Sequence, residues 1–443
     1  MNTAASLIAV LLAFCIFPSF AQDAMVLEGA VILDGVASRP QKNAIIVIEN
    51  GKISGFGPRK TVIIPAGAKR LNLKGKYIIP GLIDGHAHYE SPRDLLQMLA
   101  WGVTSVNCMF ESTQKAIEME RWTAQDTSRA PQIYATAPIF TAEKGWWAGE
   151  GFPIDSAINR FPTTPDEARS QVKKVKAAGI KRIKLMYDSM DWCRDSLPPL
   201  TRMNREVMQA LIDEAWKQKL FSSVHAPKLA DAREALDAGA MSLAHGILDE
   251  YFDASTIETM LSRNDYYVPT FSLFEFLADV EGFMKHALSD KRFRSALPAS
   301  LVKEYSGSEY YRRYRERYPN FAFVRSHLPA LRDNMLTIVR NYVPVVMGTD
   351  MWALPGIGAH LELEYMVKAG MTPYEALISA TTFGGQYLGA ATRIGTIESG
   401  RQADLVILDA DPFADIRNTR SINTVIKHGR IFNPKHLLKA AMQ

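Results

Sequence analysis

The stretch Tyr77-Ile78-Ile79-Pro80-Gly81-Leu82-Ile83-Asp84-Gly85-His86-Ala87-His88 decides how the rest of the chain is read. Its apolar part, Tyr77–Ile83, is continuous rather than alternating, which suits a strand of a parallel sheet buried on both faces. Side chains alternate along a strand, so His86 and His88 point to the same side at its end. A strand that ends in two imidazoles is a place to look for chemistry.

Seven further apolar, β-rich runs follow: Val103–Met109, Gln132–Ala137, Arg182–Met186, Phe221–Val224, Met241–Ala244, Tyr266–Thr270 and Val343–Met347. Helix-like segments lie between them, among them Asp166–Ala178 with Gly179 after it, Asn204–Gln218 and Leu229–Ala238. Eight such units in series predict an α/β fold, a (β/α)₈ TIM barrel over residues 77–394. The seventh connection, 271 to 342, far exceeds a normal crossover. A helical insertion over about 273–338 accounts for the excess. It is rich in aromatic residues and arginine, as in Tyr310-Tyr311-Arg312-Arg313-Tyr314, and reads either as a solvated insertion or as a lid that shapes a pocket.

Outside the barrel, Val26–Leu33, Ala44–Glu49, Lys52–Phe56 and Arg70–Leu73 read as short strands, as do Leu405–Leu408, Ile422–Lys427 and Ile431 beyond Gly429. Residues 22–76 and 395–443 are each too small to stand alone, so one small β-sandwich built from both ends is expected. The first 21 residues carry no charge; the apolar run Leu7–Phe17 ends at Pro18, and Ser19-Phe20-Ala21 supplies small residues for cleavage before Gln22. This reads as a secretory signal peptide, hence a secreted or periplasmic protein with no stable membrane insertion after cleavage.

Composition narrows the function. Of 443 residues, 47% are hydrophobic and 22% charged, ordinary globular values that exclude a disordered or collagen-like chain. Lys+Arg 51 against Asp+Glu 47 gives a net charge of +4, too small for a charge-driven nucleic-acid binder, so no nucleic-acid partner is expected. Three cysteines cannot form a disulfide scaffold.

Barrel enzymes keep their chemistry at the C-terminal ends of strands. Those ends carry His86 and His88 on the first strand, Lys184 within the fourth, His225 and His245 on the fifth and sixth, and Asp350 after the eighth. Imidazoles with a carboxylate suit Zn²⁺ or a similar borderline ion. Lys184 is the odd member, because a buried ammonium beside cations is costly. Desolvation favours the neutral amine, which can add CO₂ to give a carbamate, an anion with two oxygens able to bridge two metals. Asp84 is either an orienting carboxylate behind the His-x-His pair or a turn residue.

These residues together resemble the amidohydrolase superfamily. The resemblance is carried by Ile79–His88, by Thr372-Pro373-Tyr374-Glu375-Ala376-Leu377, by Gly395–Gly400 and by Ala403–Asp409, and it covers nearly the whole mature chain. It is nearest the imidazolonepropionase-like branch, which includes binuclear Xaa-Pro dipeptidases. The resemblance implies two divalent metal ions, one bound by His86, His88 and Asp350 and the other by His225 and His245, with carboxylated Lys184 as the bridge. With the leader, it implies a hydrolase of an amide or peptide C–N bond that is secreted, in which Asp350 takes a proton from a metal-activated water and passes it to the leaving amine. The same centre could instead open a lactone or ester, and an inactive barrel could act as a binding protein. The substrate is expected to be a small molecule or dipeptide-like compound; a homo-oligomer is left open. Tyr89, Trp146, Trp147, Tyr187 and His360 fall near strand ends or in neighbouring loops and are candidates for the pocket lining.

Overall fold

A computed structural model describes residues 24–125, 128–146, 148, 158–193, 198–317 and 321–443. The leader expected over residues 1–21 and Trp147 lie outside the described residues.

The fold is mixed α/β, and its centre is parallel. Leu82–Ala87, Val103–Cys108 and Gln132–Ala135 form one sheet. Arg182–Met186, Phe221–His225, Ser242–Ala244 and Tyr266–Val268 form the core of a second, in chain order, with Ile139–Phe140 and Asn159–Arg160 added at one edge. Register fixes the site: Met186 pairs with His225, His225 with Ala244, and Ala244 with Val268, so neighbouring strands end at one level. Backbone hydrogen bonds link the two sheets. Ala137 N donates to Arg182 O, Val346 N to Tyr267 O, and Gly85 N to Met347 O. The expected eighth strand, Val343–Met347, is reduced to a single parallel bridge between Tyr267 and Val345. Pro344 has no N–H to give a ladder, although its carbonyl accepts from Tyr267 N.

The first expected strand, Tyr77–Ile83, is two strands rather than one. Tyr77–Pro80 pairs antiparallel with Leu405–Leu408 in the sheet formed by both flanks, and the strand of the central parallel sheet starts at Leu82. Gly81 is the joint. A Cβ there would lie 2.1 Å from Thr104 Oγ1, so only glycine lets the chain pass from one sheet to the other. The flank sheet therefore extends past the boundary expected at 76/77. Its strands come from both ends of the chain, Val31–Ile32 and Tyr77–Pro80 with Leu405–Leu408, Ile422–Lys427 and Arg430–Phe432. A four-stranded sheet from residues 25–72 shares a core with it: Leu27, Ile46 and Ile48 pack with Ile78, Leu405 and Ile426.

Among the described residues, six helices occupy the long connection after the Tyr266–Val268 strand, from Phe271–Ala278 to Phe321–Arg340. Phe276, Phe283, Tyr305, Tyr310 and Tyr311 are buried in a cluster with Trp101, Met351 and Leu354, so the insertion packs on the rest of the fold rather than standing in solvent. Among the described residues, no helix is long and apolar enough to cross a membrane.

Candidate metal centre

His86, His88 and Asp350 meet where the first strand faces the segment after Val343–Met347. Gly348 makes this possible, since a Cβ on it would lie 2.9 Å from the His86 Cβ. Both Thr349 N and Asp350 N donate to the His86 carbonyl. His88 Nε2 is 2.7 Å from Asp350 Oδ1, and His86 Nε2 is 3.5 Å from the same oxygen. One donor atom from each of the three lies within 4.8 Å of the others, which a single metal ion could bridge.

His245 joins this group. Its ring centroid is 4.8 Å from that of His86 and 4.5 Å from that of His225. His225 Nδ1 and His86 Nδ1 are buried and have no hydrogen-bond partner among the described residues, a costly state for a ring nitrogen in a dry interior and one that a metal ion at His225 Nδ1 would relieve there. Burial, followed by Lys184 and the neighbouring histidines, drives the pKa values of His86 and His245 well below normal; burial lowers that of His225 too. The rings are therefore neutral, the form in which imidazole binds metal.

Lys184 faces the same space, between Ile183 and Leu185, which point into the hydrophobic core. Burial brings its pKa down to about 7, with Asp350 opposing. Its Nζ has Met109 Sδ at 3.6 Å. A largely desolvated amine beside a thioether is available for reaction with CO₂. Asp84 lies behind the His-x-His pair: it accepts from Thr349 Oγ1 at 2.7 Å, Thr349 N at 3.0 Å and His86 N at 3.1 Å. Burial raises its pKa to about 6 against those hydrogen bonds. It clamps the strand bearing His86 to the segment bearing Asp350.

His86, His88, Lys184, His225, His245 and Asp350 all line a cavity of about 530 Å³, and Asp84 lies behind its wall. The other walls are mostly apolar. Trp192, Phe274, Leu277, Tyr314 and Trp352 form one side, and Phe274, Leu277 and Tyr314 come from the insertion. Tyr89 and Trp146 line the cavity, as expected. Tyr187 and His360 do not. The Tyr187 hydroxyl donates to Glu234, and Arg202 stacks over its ring, because residue 187 alternates away from the face used by Lys184 and Met186. His360 is buried on helix Ile357–Lys368, bonded to Thr419 Oγ1 at 2.9 Å and the Trp101 carbonyl at 3.0 Å.

Two residues that sequence reading passes over hold the histidines. Asp188, 1% exposed, meets His225 Nε2 at 3.0 Å and is itself fixed by Met190 N and Trp192 Nε1. Thr270 meets His245 Nδ1 at 2.9 Å. The one signal for Asp188 was its place just past the strand carrying Lys184. Nothing in sequence marks Thr270.

The amidohydrolase family model matches residues 77–432. Aspergillus niger ochratoxinase is 26% identical over 310 residues, 68% of this chain and 55% of that protein, so the match spans about half the length of that relative. Imidazolonepropionase of Geobacillus kaustophilus is 34% identical over 424 residues, 88% of this chain and 90% of that one. The crystal structure of a Xaa-Pro dipeptidase with methionine in its active site superposes with a TM-score of 0.73 at 21% identity, covering 93% of this chain and 100% of that one. A match over that much of the chain, with the His-x-His strand at its start, settles the family: the chain belongs to the amidohydrolase family.

Proposed function

We propose that this protein is a metal-dependent hydrolase of an amide or peptide C–N bond in a small substrate with a bulky apolar group. The observation that carries this reading is the convergence of His86, His88, Lys184, His225, His245 and Asp350 on one apolar-walled cavity. The named activities of its relatives, the Xaa-Pro dipeptidase in particular, favour a C–N bond. We also read the three strands of the first parallel sheet, the four core strands of the second and residues 343–347 as one closed eight-stranded barrel, supported by the hydrogen bonds that pass between them, and the two flank sheets as a small sandwich.

His86, His88 and Asp350 would hold one ion, His225 and His245 a second, and a carbamate on Lys184 would lie between them. When bound, such ions acidify a water and polarise the scissile carbonyl. Asp350 is the base: its carboxylate is 14% exposed, open to the cavity, and close to His88 Nε2. It accepts the proton of the attacking water and delivers it to the departing nitrogen. Trp192, Phe274, Tyr314 and Trp352 exclude water and take the apolar end of the substrate.

The test is metal analysis of purified protein together with hydrolysis of Xaa-Pro dipeptides, N-acyl amino acids and lactones. The expected result is bound divalent metal and release of free amine from an amide. Turnover of lactones alone would replace the amide reading with the ester one. Protein that neither takes up metal nor turns over any of them would sink both.

A further inference from the structure

Thr270 holds the N-cap position of helix Phe271–Ala278 and does not cap it. An N-cap threonine ordinarily has extended backbone, and its hydroxyl accepts from an amide of the first helical turn. Thr270 instead has φ 45° and ψ 51°, a left-handed conformation that is uncommon for any residue with a Cβ and costly for a β-branched one. Its side chain makes no capping bond. The hydroxyl sits 2.9 Å from His245 Nδ1 instead.

The helix end still has donors that need acceptors. They are met from another element. The two carboxyl oxygens of Glu362, 0% exposed, accept from Phe271 N at 2.8 Å and from Ser272 N. Glu362 stands on helix Ile357–Lys368, which follows the segment bearing Asp350. His245 and Asp350 also have positive φ, 76° and 49°, so three neighbouring positions of this site hold backbone that the surroundings must enforce.

We propose that Thr270 and Glu362 are a positioning pair for His245, an inference that rests on the metal-hydrolase reading above. Glu362 takes over the cap, which releases the Thr270 hydroxyl to engage His245 Nδ1. That engagement fixes the ring and leaves Nε2 as the nitrogen available to a metal ion. Neither residue touches substrate; both act through His245.

Full-length protein stripped with a chelator and titrated with Co²⁺ gives a test independent of substrate, because the visible absorption of Co²⁺ reports its ligands. Wild type should bind two equivalents. Thr270→Val keeps the shape without the hydroxyl and should bind one equivalent about 10–100-fold more weakly, with an altered band, while Thr270→Ser restores both. Glu362→Gln offers an amide N–H where an acceptor is needed, so the Thr270 hydroxyl turns back to the helix end and affinity falls similarly. The double variant Thr270→Val, Glu362→Gln should be no worse than Thr270→Val alone, since both changes remove one contact. Normal Co²⁺ affinity and spectrum in Thr270→Val, or fully additive losses, would overturn the pair and leave the hydrolase reading standing. If Thr270→Val does not fold, unchanged Co²⁺ binding in Glu362→Gln overturns it equally. Wild-type protein that binds no Co²⁺ would overturn both.

Discussion

His225 and His245 stand edge to face, 4.5 Å apart, and are gripped by opposite ring nitrogens. Asp188 takes Nε2 of His225, and Thr270 takes Nδ1 of His245. The ring nitrogens left over by these two contacts are therefore Nδ1 of His225 and Nε2 of His245. A hydrogen bond at one nitrogen decides which of the two is left to coordinate, so the geometry of this half of the site is set by residues that coordinate nothing.

Asp188→Asn tests that dependence. The amide can still occupy the place of the carboxylate and keep Met190 N and Trp192 Nε1 in part. It no longer favours a proton on His225 Nε2, so the ring is free to present the wrong tautomer. Metal affinity or kcat should fall about 10–100-fold while the thermal midpoint of the apo protein moves little. Unchanged metal retention on dialysis against a chelator would show that Asp188 is a packing residue only.

Lys184→Ala removes the proposed bridge. Two cations about 4 Å apart repel by about 4 kcal/mol per unit-charge pair at an effective dielectric near 20, and dications multiply this. Metal content should drop below two equivalents, and a short carboxylic acid in the buffer should restore part of it. Retention of both metals with full activity would remove the carbamate from the reaction.

His360 sits away from the cavity, and its consequences are for stability. Burial, with Arg420 next, lowers its pKa from 6.5 to about 3. The folded protein thus holds it neutral where the unfolded chain would protonate it. Its contribution is complete above pH 6.5 and is lost as the pH falls toward 3, up to roughly 5 kcal/mol if nothing relaxes. His360→Gln should have a flatter dependence of thermal midpoint on pH across that window, and near-normal kcat at neutral pH where it folds. Parallel curves for variant and wild type would refute the assignment.

The convergence of His86, His88, Lys184, His225, His245 and Asp350 on one cavity was legible in the sequence, because the ends of neighbouring parallel strands converge by topology. The supporting half was not. Asp188 and Thr270 act through direction and backbone conformation, and a φ of 45° at a threonine leaves no trace in composition or spacing. Tyr187 and His360 misled for the same reason. Nearness to a strand end in sequence does not say which way a side chain turns, and both turn toward partners more than 40 residues away. Gly81 falls within one apolar run, and an apolar run does not show where a chain changes sheets.

The insertion supplies cavity wall and no proposed ligand, so it should govern selectivity alone. Leu277→Ala enlarges the apolar side where Leu277 meets the cavity. Loss of that contact should raise KM for a bulky apolar substrate about tenfold, with metal content unchanged. Tyr314→Phe removes the 3.0 Å hydrogen bond from Trp352 Nε1 and should act in the same direction more weakly. Loss of metal from a folded Leu277→Ala protein would mean that the insertion shapes the centre itself.

Asp350 should fail in a way that separates it from every other ligand. Asp350→Asn keeps an oxygen beside His88 and His86, so most metal should remain, above all the ion proposed for His225 and His245. What it loses is the ability to take a proton. A general base contributes about 10²–10⁴ to the rate, and kcat should fall by that factor while KM changes little. The positive φ of 49° at this position is one that asparagine tolerates better than most residues, so the backbone turn should survive the change. The apo protein should accordingly melt close to wild type. A large drop in metal content with the rate per bound metal preserved would make Asp350 a ligand only, and the proton would have to travel through another group in the cavity.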